Sequence, residues 1–131
     1  IISTLYASIQ NVSSPSLDNV RRKWEEELGL DISEVDWGGA VDLVHFTSVC
    51  VRHGLIQFKV LHRLHLSKEK LAKMYRGTDP TCPRCKQVPA NLCHMFWSCP
   101  RLKDFWANIF RTFSFIYNED MEPMPLTAIF G

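Results

Sequence analysis

Residues able to bind a metal ion are concentrated in one short segment, Thr81 to Pro100, which reads TCPRCKQVPANLCHMFWSCP. Structural zinc sites use four thiolate or imidazole ligands, supplied as two locally spaced pairs. Cys82 and Cys85 have the spacing of the first pair, because two intervening residues let the chain turn back toward one ion. His94 and Cys99 can supply the second pair, which gives the pattern C-x2-C-x8-H-x4-C. The segment therefore predicts a structural zinc site.

One ligand of this predicted site has an alternative. Cys93 precedes His94 directly and could replace it, which would give a site of four cysteines. Neighbouring residues project in different directions, so we do not expect both to bind the same ion. The alternative without metal is a set of buried thiols and one hydrogen-bonded histidine. Cys50 lies far from the segment and is predicted to be a core residue.

Catalysis is not expected of this site. A catalytic zinc keeps an open coordination position and a nearby acid or base, whereas four protein ligands close the tetrahedron. The PTCPRC sequence has part of the zinc deaminase pattern, but no H-x-E sequence accompanies it. The chain also shows no Ser/His/Asp arrangement, no glycine loop for phosphates and no carboxylate pair for two-metal chemistry. We predict that the chain is not an enzyme.

The elements that must position this segment are predicted to be helices. Apolar residues recur at helical spacing in several stretches, and no convincing alternation predicts a strand. The clearest amphipathic helix follows Pro100, with its apolar side formed by Leu102, Phe105, Trp106, Ile109, Phe113 and Ile116. The predicted fold is a small all-α domain of four to five helices with an irregular, zinc-knuckle-like insert. Its predicted limits are an irregular segment 1–15, a helical domain 16–118 with the insert at 81–100, and an irregular tail 119–131.

Charge is distributed unevenly along the 131 residues, although the net charge is only +1. The residues from Val51 to Lys103 include eleven basic and two acidic side chains, a net +9, and both flanks are acidic. A block of one sign points to a polyanionic partner, or to a solvated face balanced by the flanks. If the partner is RNA or DNA, we expect these residues to contact phosphates: Arg52, Lys59, Arg63, Lys68, Lys70, Lys73, Arg76, Arg84 and Lys86.

Aromatic residues beside the metal segment could also meet a nucleic acid. Phe96 and Trp97 could stack on bases, but their helical spacing from His94 favours packing in the core. Trp106 is predicted to be a core residue. No residue suggests recognition of particular bases.

Cellular context is indicated by the cysteines and the hydropathy. Five cysteines are an odd number for a disulfide framework, and no secretion signal or membrane-length apolar run is present. We therefore expect reduced thiols, no membrane association and no small-molecule substrate. The chain starts without Met and ends abruptly, so we expect a piece of a longer protein.

The order of these features resembles a known family. A basic helix, HGLIQFKVLHRLHLSKEKLAKMY, leads to CPRC and then to CHMFWSCPRLKDFW. This order is similar to the zinc-binding domain at the carboxyl side of reverse transcriptases from LINE-type non-LTR retrotransposons. The matching residues are Cys82, Cys85, His94, the Cys99-Pro100 pair and Trp106. Upstream, KWEEELGLDISEVDW resembles the region between polymerase and zinc domain in fish elements of this kind.

The resemblance implies His94 as the third ligand and leaves Cys93 outside the site. It also implies a non-catalytic module that holds template RNA or target DNA, in the cytoplasm and nucleus, without polymerase or endonuclease activity. The alternative is an architectural or protein-interaction domain that docks the polymerase portion of the same polyprotein.

Overall fold

Every regular element in the described part of the chain is helical, which confirms the all-α prediction. The computed structural model describes residues 3–4, 16–46 and 48–131. Its α-helices are α1 (Asp18–Leu28), α2 (Glu34–Phe46), α3 (Val51–Leu61), α4 (Lys68–Met74), α5 (Lys103–Tyr117) and α6 (Pro125–Phe130). A π-helical turn (His94–Ser98) and a 3-10 turn (Pro100–Leu102) precede α5. None of the helices described is long and apolar enough to cross a membrane.

Short polar signals set the ends of several helices. Gly29 ends α1 in the left-handed conformation (φ 68°), and its N–H bonds to the Glu25 carbonyl at 2.8 Å. Ser33 precedes α2, and its hydroxyl accepts the Asp36 N–H at 3.1 Å. Ser67 caps α4 in the same way. These ends are local, so the sequence alone indicates where the helices begin or end.

The main core is built around aromatic side chains from both ends of the described chain. Trp24 of α1 is fully buried, and its indole N–H donates to the Leu61 carbonyl at 3.0 Å. Phe130 of α6 lies edge-on to Trp24 and to Trp37 of α2, with ring centroids 5.4 and 6.0 Å apart. Helix α6 also contacts α3 and the π-helical turn. The C-terminal helix thus joins the core to the segment that carries His94.

The prediction of an irregular tail over residues 119–131 is therefore wrong for the second half of that segment. The prediction gave weight to the prolines and acids of this segment. Pro125, however, occupies the first turn of α6, where a missing N–H costs no hydrogen bond. Ile129 and Phe130 are then buried against the other helices. The predicted irregular segment 1–15 lies outside the described residues, except for residues 3–4, which are helical.

Helix α5 forms as predicted, but most of its predicted core side is not buried. Phe110 is the buried residue of this helix. Phe105, Phe113 and Ile116 are exposed instead. In the described part of the chain, the main contacts of α5 with another element are those with the short 3-10 turn. The amphipathic pattern predicted the helix correctly and did not predict whether a partner covers its apolar side.

Candidate metal centre

Four side chains converge beside the 3-10 turn, as the ligand pattern predicted. The ligand atoms of Cys82, Cys85, His94 and Cys99 all lie within 4.8 Å of one another. The Cys82 and Cys99 sulfurs are 3.9 Å apart, and the Cys85 sulfur is 3.1 Å from His94 Nε2. Two sulfurs bound to one zinc ion at ~2.3 Å lie about 3.8 Å apart in a tetrahedron. The donor set and its spacing are therefore compatible with a metal site.

A tight turn positions the first pair of ligands. The Cys82 N–H bonds to the Gln87 carbonyl at 3.0 Å, and the Lys86 N–H bonds to the Cys82 carbonyl at 2.8 Å. Lys86 has φ 61°, the left-handed conformation that closes the turn. The chain reverses within six residues, which brings the Cys85 sulfur to the same side as Cys82.

A π-helical turn positions the second pair. On an α-helix, residues five apart point roughly 140° away from each other. Here the Cys99 N–H bonds to the His94 carbonyl at 3.2 Å, an i→i+5 bond that widens the turn. The Asn91 side chain accepts the His94 N–H at 2.7 Å and fixes the start of this turn. The widening lets His94 and Cys99 face the same point.

Two side-chain hydrogen bonds hold the halves of the centre together. The Arg84 guanidinium donates to the Met95 carbonyl, which links the Cys82–Cys85 turn to the π-helical turn. The Trp106 indole N–H donates to the Phe96 carbonyl at 2.9 Å and ties α5 to the same turn. Arg84 was predicted to contact phosphates, and the structure gives it this additional contact within the metal segment.

Cys93 lies outside the cluster, as the resemblance implied. Its side chain is buried in the main core, and its N–H bonds to a Glu27 oxygen at 3.3 Å. Burial raises the pKa of the Cys93 thiol, which disfavours the thiolate that a metal needs. Cys50, predicted to be buried, is exposed, because it lies just before α3 rather than inside a helix.

The thiols of the first pair differ in acidity. Burial opposes ionisation of Cys82, but hydrogen bonds from the Cys85 and Arg84 backbone N–H groups and from the Cys85 and His94 side chains together outweigh it and lower the pKa to about 6. Burial, with competition from the Cys82 and Cys99 thiols, raises the pKa of Cys85. The turn therefore favours a thiolate at Cys82, the form that binds metal.

Most of the residues that were predicted to contact phosphates are exposed. Within the described part of the chain, these residues are exposed and form no ion pair: Arg52, Lys59, Lys70, Arg76 and Lys86. Lys68 is half-buried, and Lys73 bonds to Glu69 at 2.5 Å in an exposed pair. Surface pairs of this kind contribute little and can exchange partners. Of the nine residues predicted to contact phosphates, all except Arg63 thus remain accessible to a polyanion.

Arg63 is placed differently from its prediction. Arg63 was predicted to contact phosphates together with Arg52 and Lys59, but α3 ends at Leu61 and Arg63 adopts φ 55°. Its guanidinium bonds to Glu27 and lies 4.4 Å from the centre of the Trp24 ring. The side chain is only 15% exposed. Arg63 therefore stabilises the fold, and its ion pair with Glu27 leaves it less accessible to a phosphate than the other predicted contacts.

One cavity is lined by several of the basic side chains. It has a volume of about 340 Å³ and is lined by Arg63, Lys70 and Lys73 together with Lys23 of α1. The carboxylates of Glu27 and Glu69 line it as well. Lys23 belongs to the acidic N-terminal part of the sequence, so its position beside the basic block became visible only in the fold.

No protein-family model matches this chain. The resemblance to the LINE-type zinc-binding domain rests on the motif residues alone, and what it implies remains a prediction.

Proposed function

We propose that this chain is a non-catalytic zinc-binding module that binds RNA or DNA, of the kind found beside LINE-type reverse transcriptases. The observation that carries the proposal is the convergence of three thiols and one imidazole within 4.8 Å, next to a basic segment. The metal identity follows from the donor set. Soft thiolates with imidazole in a four-donor site favour zinc over harder ions.

The zinc ion would be structural. Four protein ligands leave no open coordination position for water or substrate. The small buried cluster around the site consists of Cys82, Ala90 and Cys99, with Cys85 and Leu102 packed against it. So few apolar groups bury little surface, and metal binding would supply much of the free energy that folds this segment.

Exposed cations support nucleic-acid binding. Lys86 and Arg84 lie on the metal turn itself, where a bound ion would hold the backbone that presents them. Lys59 and Arg52 are exactly one heptad apart on α3 and so point to the same side. Lys and Arg that neutralise phosphates release counterions, which makes the affinity strongly dependent on salt.

A second candidate function is favoured by the exposed side of α5. Phe105, Phe113 and Ile116, which share the predicted apolar side of this helix, are 52%, 39% and 62% exposed. Such a surface is typical of a protein-interaction site. In this alternative the domain docks the polymerase portion of the same polyprotein, and the basic block meets acidic groups there.

Metal content tests the first part of the proposal. Purified protein is expected to contain one zinc ion per chain by elemental analysis. Cys85→Ala and His94→Ala should each abolish stoichiometric zinc, because three ligands no longer close the tetrahedron. Cys93→Ala is the matched control, since it removes a neighbouring thiol that lies outside the cluster. Absence of zinc from the folded wild-type protein would contradict the proposal.

Binding at two salt concentrations tests the second part. The zinc-loaded protein should bind a fluorescent single-stranded RNA at low salt and lose affinity steeply as salt rises. DNA of the same sequence would show whether one nucleic acid is preferred. A folded, zinc-loaded protein that binds neither at low salt would instead support the architectural function.

A further inference from the structure

An apolar cavity adjoins the candidate metal centre at Cys99. It has a volume of about 340 Å³, at the small end of the ~300–1,000 Å³ typical of ligand pockets. Its lining includes Trp97, Cys99, Pro100, Trp106 and Pro123, with Lys103 at the same site. The cavity is thus formed by residues on both sides of a metal ligand.

Its two tryptophans are placed unlike the others in the chain. Trp24 and Trp37 are buried in the core, at 0% and 7% exposure. Trp97 and Trp106 are half-buried and line the cavity. Their ring centroids are 5.8 Å apart at an interplanar angle of 45°, so the rings contact each other and leave no room for insertion between them. A planar ligand would lie against the cavity side of one ring.

The polar edge of Trp106 is already used. The Trp106 indole N–H donates to the Phe96 carbonyl, so the ring offers the cavity its apolar surface rather than a hydrogen-bond donor. A ligand would therefore contact Trp106 by stacking.

Lys103 places a positive charge at the cavity. Lys103 begins α5, is exposed and forms no ion pair with any described residue. Arg101, in the 3-10 turn two residues earlier, is also exposed and equally without an ion pair among the residues described. An aromatic surface with a neighbouring cation suits a ligand that carries a flat ring and a phosphate together.

We propose that this cavity binds one base of single-stranded RNA or DNA against Trp97 or Trp106, with Lys103 near the adjoining phosphate. The inference rests on the proposed nucleic-acid function and deepens it. It specifies single strands, because a base must leave its stack to reach an aromatic side chain. It also explains why Trp97, predicted to be mainly a core residue, both packs on the core and lines a cavity.

The test compares two ligands that differ only in their bases. The zinc-loaded chain is titrated with a single-stranded oligonucleotide and with an abasic deoxyribose-phosphate strand of equal length. Stacking one base is worth about 1–3 kcal/mol, so the strand with bases should bind about 5- to 150-fold more tightly. It should also quench tryptophan fluorescence, whereas the abasic strand should not.

Two variants assign the effect to the cavity. Trp97→Leu keeps an apolar side chain for the core but removes the ring, and should reduce the preference for bases while leaving affinity for the abasic strand unchanged. Lys103→Gln is the matched charge variant, and should weaken binding of both strands while leaving the preference intact. Trp106→Leu removes the other ring and is tested in the same way, and zinc content and the unfolding midpoint are measured for each variant.

Failure of the inference can be told from failure of the proposed function. Equal, salt-dependent binding of both strands without quenching overturns the base-binding cavity and leaves phosphate binding in place. A preference for bases that survives in both tryptophan variants also overturns it. Binding of neither strand by folded, zinc-loaded protein overturns the inference together with the nucleic-acid function, and an apolar protein segment becomes the better occupant.

Discussion

Replacing Phe130 with alanine is expected to destabilise the protein more than the position of this residue near the C-terminus suggests. The side chain is 5% exposed and lies edge-on to Trp24 and Trp37. Removing a buried phenylalanine from a core typically costs about 3–5 kcal/mol, which includes both lost burial and the cavity left behind. The two aromatic contacts, worth roughly 0.5–1.5 kcal/mol each, place Phe130 toward the upper part of that range.

This loss is large compared with the total stability of a domain. Small proteins unfold with a free energy of about 5–15 kcal/mol. With a urea m-value of about 2 kcal/mol per molar, Phe130→Ala should lower the unfolding midpoint by about 2 M. The measurement is urea unfolding of the zinc-saturated protein, followed by circular dichroism and tryptophan fluorescence.

Phe115→Ala provides the matched control. It removes the same atoms from a side chain that is 87% exposed on α5, so its free energy of unfolding should change by less than about 0.5 kcal/mol. A loss for Phe130→Ala as small as that for Phe115→Ala would refute the assignment of α6 to the core. Equally large losses for both substitutions would instead show that the Phe115 side of α5 is covered in solution.

Four further predictions concern individual charges and the metal. Arg63→Ala should destabilise the protein by about 3–5 kcal/mol, because it leaves the Glu27 carboxylate buried and unpaired. Lys59→Ala, at an exposed position, should leave the urea midpoint unchanged. In RNA titrations, Lys59→Ala should reduce the magnitude of the slope of log affinity against log salt concentration by about 1. An unchanged slope would show that Lys59 lies outside the interface. Lys86→Gly should raise the unfolding free energy by up to about 1 kcal/mol, since Lys86 has φ 61°; destabilisation would contradict this reading of the turn. Chelation should lower the thermal midpoint and readdition of zinc should restore it; a midpoint insensitive to both would argue against a structural metal.

The features that the sequence can predict are local. The ends of α1, α2 and α4 depend on Gly29, Ser33 and Ser67, whose effects are confined to one helical turn. The candidate ligand cluster depends on two short spacings, which predicted it except for the choice of His94 over Cys93, which the family resemblance implied. Where the donors lie within eighteen residues, the chain has few ways to bring them together.

The features that sequence reasoning missed depend on long-range packing. Phe130 is a core residue only because α1 and α2, about a hundred residues earlier, place Trp24 and Trp37 around it. Arg63 was predicted to contact phosphates because its partner, Glu27, lies on another helix and is not evident from the sequence. Periodicity identifies the apolar side of α5, but it cannot show which element covers that side.

The position of Arg63 also changes what the basic block can do. Of the nine residues predicted to contact phosphates, Arg63 is held by Glu27 and Lys73 is paired with Glu69, so seven carry charges without an ion pair in the described part of the chain. If all seven contacted phosphates of one single strand, a plot of the logarithm of the affinity against the logarithm of the salt concentration would have a slope of about −5. A steeper slope would require cations that the sequence interpretation did not select, and Arg101 and Lys103 beside the tryptophan cavity are exposed candidates. The salt slope thus tests whether the interface extends beyond the predicted residues.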